Sequence, residues 1–293
     1  MNLVSLITGV VLAAEGFIVP MSQPTTKPSV SFADLTTQIS LKESPGDVLG
    51  TGTFSATIVA GLVPTADVRK TKKPKMTIAI LGDSMVDTLG RDLRLVADRL
   101  HSTYPDTTFS LLNYGVGGKN IASGLPRLTQ ESSYLGELRP PLISLKPDVI
   151  VIESFGYNPF PFDTGALDQH WLSMAYIINA IRTNLPQTRI VLATTIAPNS
   201  LVFGDGAPGI AFTPQEKITR TKIIRQYLEN TLRFGASERI PVADVYTQSL
   251  DRNGEGNLIY INPGDHIHYS DLGRQLFSRV LVDTITANTL LEQ

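Results

Sequence analysis

The 293-residue sequence predicts an α/β protein of three layers, in which helices cover both faces of a parallel sheet of five strands. From residue 76 onward, short apolar runs alternate with longer segments of helical periodicity. The run MTIAIL, at residues 76–81, is apolar throughout, as expected of a strand that is buried on both faces. Polar and glycine-rich residues follow each of the first three runs, which indicates a ligand site at the carboxyl edge of the sheet.

The elements follow one another in a regular order. Strands are predicted at residues 76–81, 109–113, 149–153, 190–193 and 242–245. Helical periodicity continues through Leu100 after the first strand, and it returns at Leu167 to Ile181, at Ile218 to Leu232 and from Asp271 to about Ile285. Ser270 is suited to cap the last helix because its hydroxyl can accept a backbone N–H there.

The N-terminal quarter differs from the rest of the chain. Residues 1–19 are mostly apolar, and residues 20–73 combine a proline-rich linker with short alternating runs that predict a β-rich extension; the α/β domain spans 74–293. Residues 1–19 fit a membrane anchor or uncleaved signal, a core element, or a start-site artefact. An anchor would associate the protein with a membrane and place it outside the cytoplasm.

Composition excludes several classes of function. A net charge of -2 gives no electrostatic footprint for nucleic acid. The absence of cysteine excludes a thiol nucleophile, thiolate metal sites and disulfides. The glycines after the second strand lack the spacing and position of a dinucleotide-binding turn, and we expect no cofactor.

The first chemical signal is Gly82-Asp83-Ser84, directly after the first strand. A serine at a strand-to-helix turn lies where the helix N-terminus favours developing negative charge. The same triplet can also be a simple helix cap.

Two further strand-end segments could supply hydrogen-bond donors. Asn113-Tyr-Gly115-Val-Gly117-Gly118 follows the second strand, and glycines allow the backbone to approach a substrate closely. Asn158 follows the third strand, where its amide could donate to an oxyanion or could satisfy the loop's own backbone.

The last signal is Asp265-His266-Ile267-His268, before the final helix. A carboxylate and an imidazole three residues apart in a turn can share a hydrogen bond, which fixes the imidazole tautomer and leaves its other nitrogen free to face a serine. In an extended turn His266 and His268 would point the same way, but only His268 has the offset that returns its ring to Asp265. We expect His266 to make a structural hydrogen bond or to lie at the pocket rim.

Taken in order, these four blocks resemble the SGNH (GDSL-type) hydrolases over residues 76–285. The resemblance implies a flavodoxin-like sheet and a serine esterase that needs no metal. It makes Ser84 the nucleophile, His268 the base and Asp265 the residue that orients the base. The oxyanion donors would be the Ser84 N–H, Gly118 and Asn158. In the family an aspartate usually follows this Asn, where the present chain has Pro159.

The expected activity is hydrolysis of a small-molecule or carbohydrate ester, with a lean towards acetate because no long apolar lid is visible. Three alternatives stay open: an O-acetyltransferase with the same triad, a non-catalytic carbohydrate-binding domain, and a metal hydrolase using Asp83, His266 and His268. The loops at residues 155–165 and 199–214 are expected to border the substrate, unless their aromatic residues only fasten the loops to the core. The residues concerned are Phe155, Tyr157, Phe160, Phe162, Phe203, Ile210 and Phe212.

Overall fold

The computed structural model describes residues 68–161 and 163–292, and a parallel sheet of five strands lies at their centre. In chain order the strands are β1 (Lys75–Gly82), β2 (Thr108–Gly115), β3 (Ser132–Tyr134), β4 (Glu137–Arg139), β5 (Val149–Glu153), β6 (Arg189–Ala193) and β7 (Val242–Ala243). The sheet has the spatial order β2-β1-β5-β6-β7, with every neighbouring pair parallel. Strands β3 and β4 form a separate antiparallel hairpin.

Helices cover both faces of the sheet. They are α1 (Ser84–Asp87), α2 (Arg94–Thr103), α3 (Gly124–Thr129), α4 (Ala166–Asn184), α5 (Pro214–Glu238), α6 (Val245–Gln248) and α7 (Asp271–Ala287). Helices α2 and α7 contribute Leu100 and Phe277 to the core on one face of the sheet. Helices α4 and α5 contribute Met174 and Phe234 to the core on the other face. The predicted three-layer α/β/α fold is thus confirmed.

The apolar run of β1 shows why the sequence gives this architecture. Ile78 and Ile80 point into the core beneath α2 and α7, whereas Ala79 and Leu81 point into the core beneath α4 and α5. All four are fully buried. A strand with period-two side chains and a helix layer on each face must be apolar at every position.

The last strand is shorter than predicted. The sequence predicts a strand over 242–245, but β7 ends at Ala243 and Val245 begins α6. Asp244 is the reason, because its side chain accepts the Thr247 N–H at 2.9 Å and starts a helical turn. The predicted cap of α7 is confirmed, since the Ser270 hydroxyl accepts the Gly273 N–H at 3.1 Å.

The predictions for residues 1–19 and for the extension up to residue 67 lie outside the described residues. Just after them, the backbone N–H groups of Arg69 and Lys72 donate to Thr103 and Leu291, and Lys73 pairs with Asp148 at 2.7 Å. Among the described residues, no helix is long and apolar enough to cross a membrane.

Candidate active site

Ser84 is the first residue of α1 and lies at the carboxyl edge of the sheet, where it is partly exposed. The turn that presents it depends on its two preceding residues. A Cβ on Gly82 would lie 2.3 Å from Val86 Cγ2, so the tight turn requires glycine. The buried Asp83 side chain accepts the Met85 N–H at 2.8 Å and so caps the short helix.

Three side chains form a continuous chain of hydrogen bonds at this edge. His268 Nε2 lies 3.0 Å from Ser84 Oγ, and His268 Nδ1 lies 2.9 Å from Asp265 Oδ2. Asp265 and His268 are both mostly buried, with side-chain exposures of 20% and 27%. The structure thus brings together the three residues that the sequence predicts as a triad.

The surroundings of Asp265 determine the histidine tautomer. Burial would raise the pKa of this carboxyl, but hydrogen bonds from the His268 side chain and from the Ile267 and His268 N–H groups lower it to about 2. Asp265 is then a carboxylate at neutral pH and can only accept, so His268 Nδ1 donates to it. His268 Nε2 is left as the acceptor for the Ser84 hydroxyl, as a general base requires.

A residue that the sequence analysis missed completes this turn. Asn262 donates its side-chain amide to Asp265 Oδ2 at 3.2 Å, and its Oδ1 accepts the Gly264 N–H at 2.9 Å. The two Asp265 oxygens consequently receive four hydrogen bonds, which fix the carboxylate in one orientation. Asn262 precedes a Pro-Gly pair, a pattern typical of a side-chain-stabilised turn, and this signal could have identified it.

The predicted oxyanion donors lie on three neighbouring strand ends. Ser84 follows β1, Gly118 follows β2 and Asn158 follows β5. Gly118 has a φ of 68°, a conformation that favours glycine. Asn158 Nδ2 donates a hydrogen bond to Asp83 Oδ2 at 2.9 Å, which uses one of the two N–H groups of this amide.

A buried charge cluster lies behind the serine. Glu153 accepts the Asp83 N–H at 3.2 Å and the Phe155 N–H at 2.8 Å, and both carboxyls are fully buried. Burial raises the pKa of Asp83, and burial together with the Asp83 charge raises the pKa of Glu153 well above its usual value. The nearby Arg127 is itself buried, which lowers its pKa to about 10, while the two acids act in the opposite sense. Arg127 Nη1 also donates to the carbonyl of Gly82, two residues before Ser84, at 2.9 Å.

The structure separates the two histidines of the last block. His266 has a φ of 50°, so the turn is not extended at this residue, and the rings of His266 and His268 have different partners. His266 Nδ1 donates to the Asp205 carbonyl at 2.7 Å, a hydrogen bond that joins the turn to the loop after β6. Within 68–161 and 163–292, no group of three His, Asp or Glu side chains could hold a metal ion.

The expectation that the loop aromatics border the substrate is wrong for the three that are buried in the protein. Phe155 and Phe160 are buried in the core beneath α4 and α5. Phe203 is buried as well and stacks on Phe212, with 6.0 Å between ring centroids. Tyr157 donates to the Ile196 carbonyl at 3.1 Å. These rings fasten the two loops to the domain; Phe162 lies outside the described residues.

The fold and this site define a class of protein, a three-layer α/β/α hydrolase in which a serine at a strand end is hydrogen-bonded to a histidine–aspartate pair. The sequence profile of the GDSL-like Lipase/Acylhydrolase family matches residues 80–276, and the chain belongs to this family. The resemblance found in the sequence is confirmed. None of the curated proteins matches the chain significantly.

Solved structures support the fold. A candidate acylhydrolase from Bacteroides fragilis NCTC 9343 is 17% identical with a TM-score of 0.51, over 77% of this chain and 93% of that one. A GDSL-like lipase from Bacteroides thetaiotaomicron VPI-5482 is 14% identical with a TM-score of 0.50, over 73% and 89%. A catalytic mutant of an acetylxylan esterase from Geobacillus stearothermophilus is 14% identical with a TM-score of 0.50, over 74% and 95%.

Proposed function

We propose that the protein hydrolyses carboxylic esters through an acyl-enzyme on Ser84. The observation that carries this proposal is the hydrogen-bonded chain from Ser84 Oγ through His268 to Asp265, at 3.0 and 2.9 Å. The nucleophile, the base and the orienting carboxylate are already within hydrogen-bond distance of one another.

The reaction begins when Ser84 Oγ attacks the ester carbonyl carbon and His268 Nε2 takes the hydroxyl proton. The carbonyl oxygen becomes an oxyanion, which the Ser84 N–H, the Gly118 N–H and the second amide hydrogen of Asn158 would stabilise. Collapse of this intermediate breaks the ester bond, and the leaving alkoxide receives the proton from His268. Water then attacks the acyl-enzyme with His268 again as base, which releases the acid and restores the serine.

The buried acids have a supporting role in this proposal. Asp83 holds the Asn158 amide at 2.9 Å, and Glu153 holds the Asp83 N–H at 3.2 Å. Both carboxyls are fully buried, so they act on the position of their neighbours rather than on substrate. The position of one oxyanion donor is therefore set by contacts that begin on β5 and pass through the residue before the nucleophile.

We further propose a short acyl group such as acetate. Phe155, Phe160 and Phe203 of the two loops are buried in the protein, so these three rings do not line an apolar acyl tunnel. Two surface cavities, of about 490 and 380 Å³, are lined by residues of 258–274 and of 200–255, and neither is lined by Ser84, Gly118 or Asn158. The structural likeness to an acetylxylan esterase is compatible with an acetylated carbohydrate as substrate.

The first test is Ser84→Ala, measured by hydrolysis of p-nitrophenyl acetate and by labelling with a fluorophosphonate. We expect turnover to fall by about four orders of magnitude and labelling to be lost. Ser102→Ala is the matched control, because Ser102 is exposed on α2 just before β2 begins, at the opposite edge of the sheet. A Ser84→Ala protein that keeps a tenth of the wild-type rate would refute the proposal.

A second test concerns the substrate. Initial rates on p-nitrophenyl esters from acetate to palmitate, beside release of acetate from acetylated polysaccharides, should show the highest kcat/KM for acetyl esters. A preference for decanoate would contradict the short-chain assignment. The same reactions with an added sugar acceptor measure how much of the acyl group goes to water, and predominant transfer to the sugar would make the protein an O-acetyltransferase.

A further inference from the structure

The hairpin of β3 and β4 is not part of the main sheet, yet it contacts the glycine-rich segment after β2 at two points. Tyr134 Oη accepts the Gly117 N–H at 3.1 Å. Arg139 Nη1 donates to the Gly115 carbonyl at 2.9 Å, and its guanidinium lies 4.9 Å from the centre of the Tyr134 ring. The hairpin thereby forms hydrogen bonds with both the Gly117 N–H and the Gly115 carbonyl of the glycine segment.

Tyr134 also contacts the helix that carries the nucleophile. Its hydroxyl donates to Asp87 Oδ2 at 2.8 Å, and Asp87 is the last residue of α1. Burial is the main cause of a raised pKa for this phenol, and its hydrogen bond to Asp87 adds to the effect. The hydroxyl stays protonated in neutral solution, so it can donate to the carboxylate while it accepts from Gly117. A hydroxyl that donates to a carboxylate becomes a stronger hydrogen-bond acceptor, so the hydrogen bonds of Tyr134 to Asp87 and to Gly117 strengthen each other.

The contact between the Tyr134 hydroxyl and Gly117 lies beside Ser84. A Cβ on Gly117 would lie 3.2 Å from Tyr134 Oη and 3.9 Å from Ser84 Cβ. Gly115 is equally close to α1, since a Cβ there would lie 2.3 Å from the Asp87 N atom. The glycine segment is thus packed between α1 and the hairpin. Gly118 comes directly after Gly117 in the chain, next to the residue that Tyr134 holds.

We infer that Tyr134 is a positioning residue for ester hydrolysis, which holds Gly117 so that the Gly118 N–H points at the oxyanion formed beside Ser84. This inference rests on the function proposed above. The tyrosine hydroxyl joins the nucleophile's helix to the loop of the second oxyanion donor, so the distance between nucleophile and donor is fixed through Asp87, Tyr134 and Gly117. Oxyanion donors act by being preorganised, and a small misplacement of a donor raises the barrier.

Tyr134→Phe tests the inference, because it keeps the ring beneath Arg139 and removes only the hydroxyl. Loss of a whole oxyanion donor costs about 10²–10³ in kcat, so we expect misplacement of Gly118 to lower kcat about tenfold, with KM changed by less than about twofold. Binding of phenylboronic acid, which forms a tetrahedral adduct on a catalytic serine, should weaken by a similar factor. Tyr176→Phe is the matched control, because Tyr176 is exposed on α4.

The partner of the phenol gives an independent test that does not alter the hairpin. Asp87→Ala removes the acceptor of the Tyr134 hydroxyl and should lower kcat in the same way, whereas Asp87→Asn keeps an acceptor and should restore most of the rate. This pair of variants decides the matter if Tyr134→Phe does not fold. Thermal unfolding of each variant establishes that the native fold is retained.

Two outcomes would overturn the inference while the proposed function stands, provided that Ser84→Ala is inactive. One is a Tyr134→Phe enzyme with unchanged kcat, and the other is a rise in KM alone, which would make the phenol a substrate contact. Full activity in Ser84→Ala would instead overturn the proposed function itself.

Discussion

Replacement of Asp265 by asparagine should damage the enzyme more than its replacement by alanine. Asp265 Oδ1 accepts two backbone N–H groups, from Ile267 at 2.8 Å and from His268 at 3.0 Å. An asparagine must use its carbonyl oxygen for these donors, which places its NH₂ group where Oδ2 meets His268 Nδ1. The ring then has to accept at Nδ1, so its proton moves to Nε2 and the base that faces Ser84 is lost.

The magnitude follows from two contributions. Inversion of the His268 tautomer replaces a charge-assisted hydrogen bond, which contributes about 1.5–3 kcal/mol, and loss of the carboxylate removes a similar stabilisation of the imidazolium formed during reaction. Together they amount to about 3–6 kcal/mol, or roughly 10²–10⁴-fold in kcat. Asp265→Ala loses only the second contribution, because water can enter beside this partly exposed side chain and accept from Nδ1, so its loss should be about 10–10²-fold.

The assay is steady-state hydrolysis of p-nitrophenyl acetate by wild type, Asp265→Asn and Asp265→Ala, with thermal unfolding to establish that each variant is folded. Asp283→Asn is a matched control, because the Asp283 side chain is 59% exposed. Its ion pair with Arg279, at 3.8 Å, lies on the surface and contributes little to stability. An Asp265→Asn enzyme as active as Asp265→Ala would refute the tautomer reasoning.

The remaining predictions concern the other histidines. His268→Ala should lose about as much activity as Ser84→Ala because triad members act as a unit, and His266→Ala should stay within about tenfold of wild type. Measurement of kcat/KM for the two variants tests this. If His266→Ala is the inactive variant and His268→Ala the active one, His266 is the general base. Burial lowers the pKa of His170 from 6.5 to about 4. Between these two pH values the histidine of the unfolded chain binds a proton that the native protein does not bind, so acid favours unfolding. Stability at pH 5 should therefore be about 2 kcal/mol below that at pH 7.5 on account of His170, and His170→Gln should remove this part. Urea unfolding at both pH values measures it, and an unchanged pH dependence in the variant would contradict the assignment.

The sheet could be predicted from sequence because burial on both faces leaves a strong local pattern. The run at residues 149–153 matches β5, and Ser270 caps α7 as expected. The short α6 was missed because a single capping side chain, Asp244, starts it within an otherwise apolar run. The β3–β4 hairpin was missed because its strands have three residues each, too short for an alternating pattern to stand out.

Some residues of the candidate site could also be predicted from the sequence, and others could not. Ser84, Asp265 and His268 could be proposed because each follows or precedes a predicted element at the catalytic edge. Glu153 and Arg127 could not, since each is held by a partner far away in the chain: Asp83 lies 70 residues from Glu153, and Gly82 lies 45 residues from Arg127. The aromatic loops were misjudged because exposed and buried phenylalanines look alike in a loop sequence.

The contact between Ser84 and His268 joins residues that are 184 positions apart. During synthesis from the N-terminus, the nucleophile and its turn on β1 are complete long before the residue that deprotonates the serine has been made. If Ser84 acts as proposed, a nascent or truncated chain lacking the 262–268 turn carries a serine with ordinary reactivity. Reaction of Ser84 with a fluorophosphonate would then mark the moment at which the last turn docks, which makes the enzyme a reporter of its own completed folding.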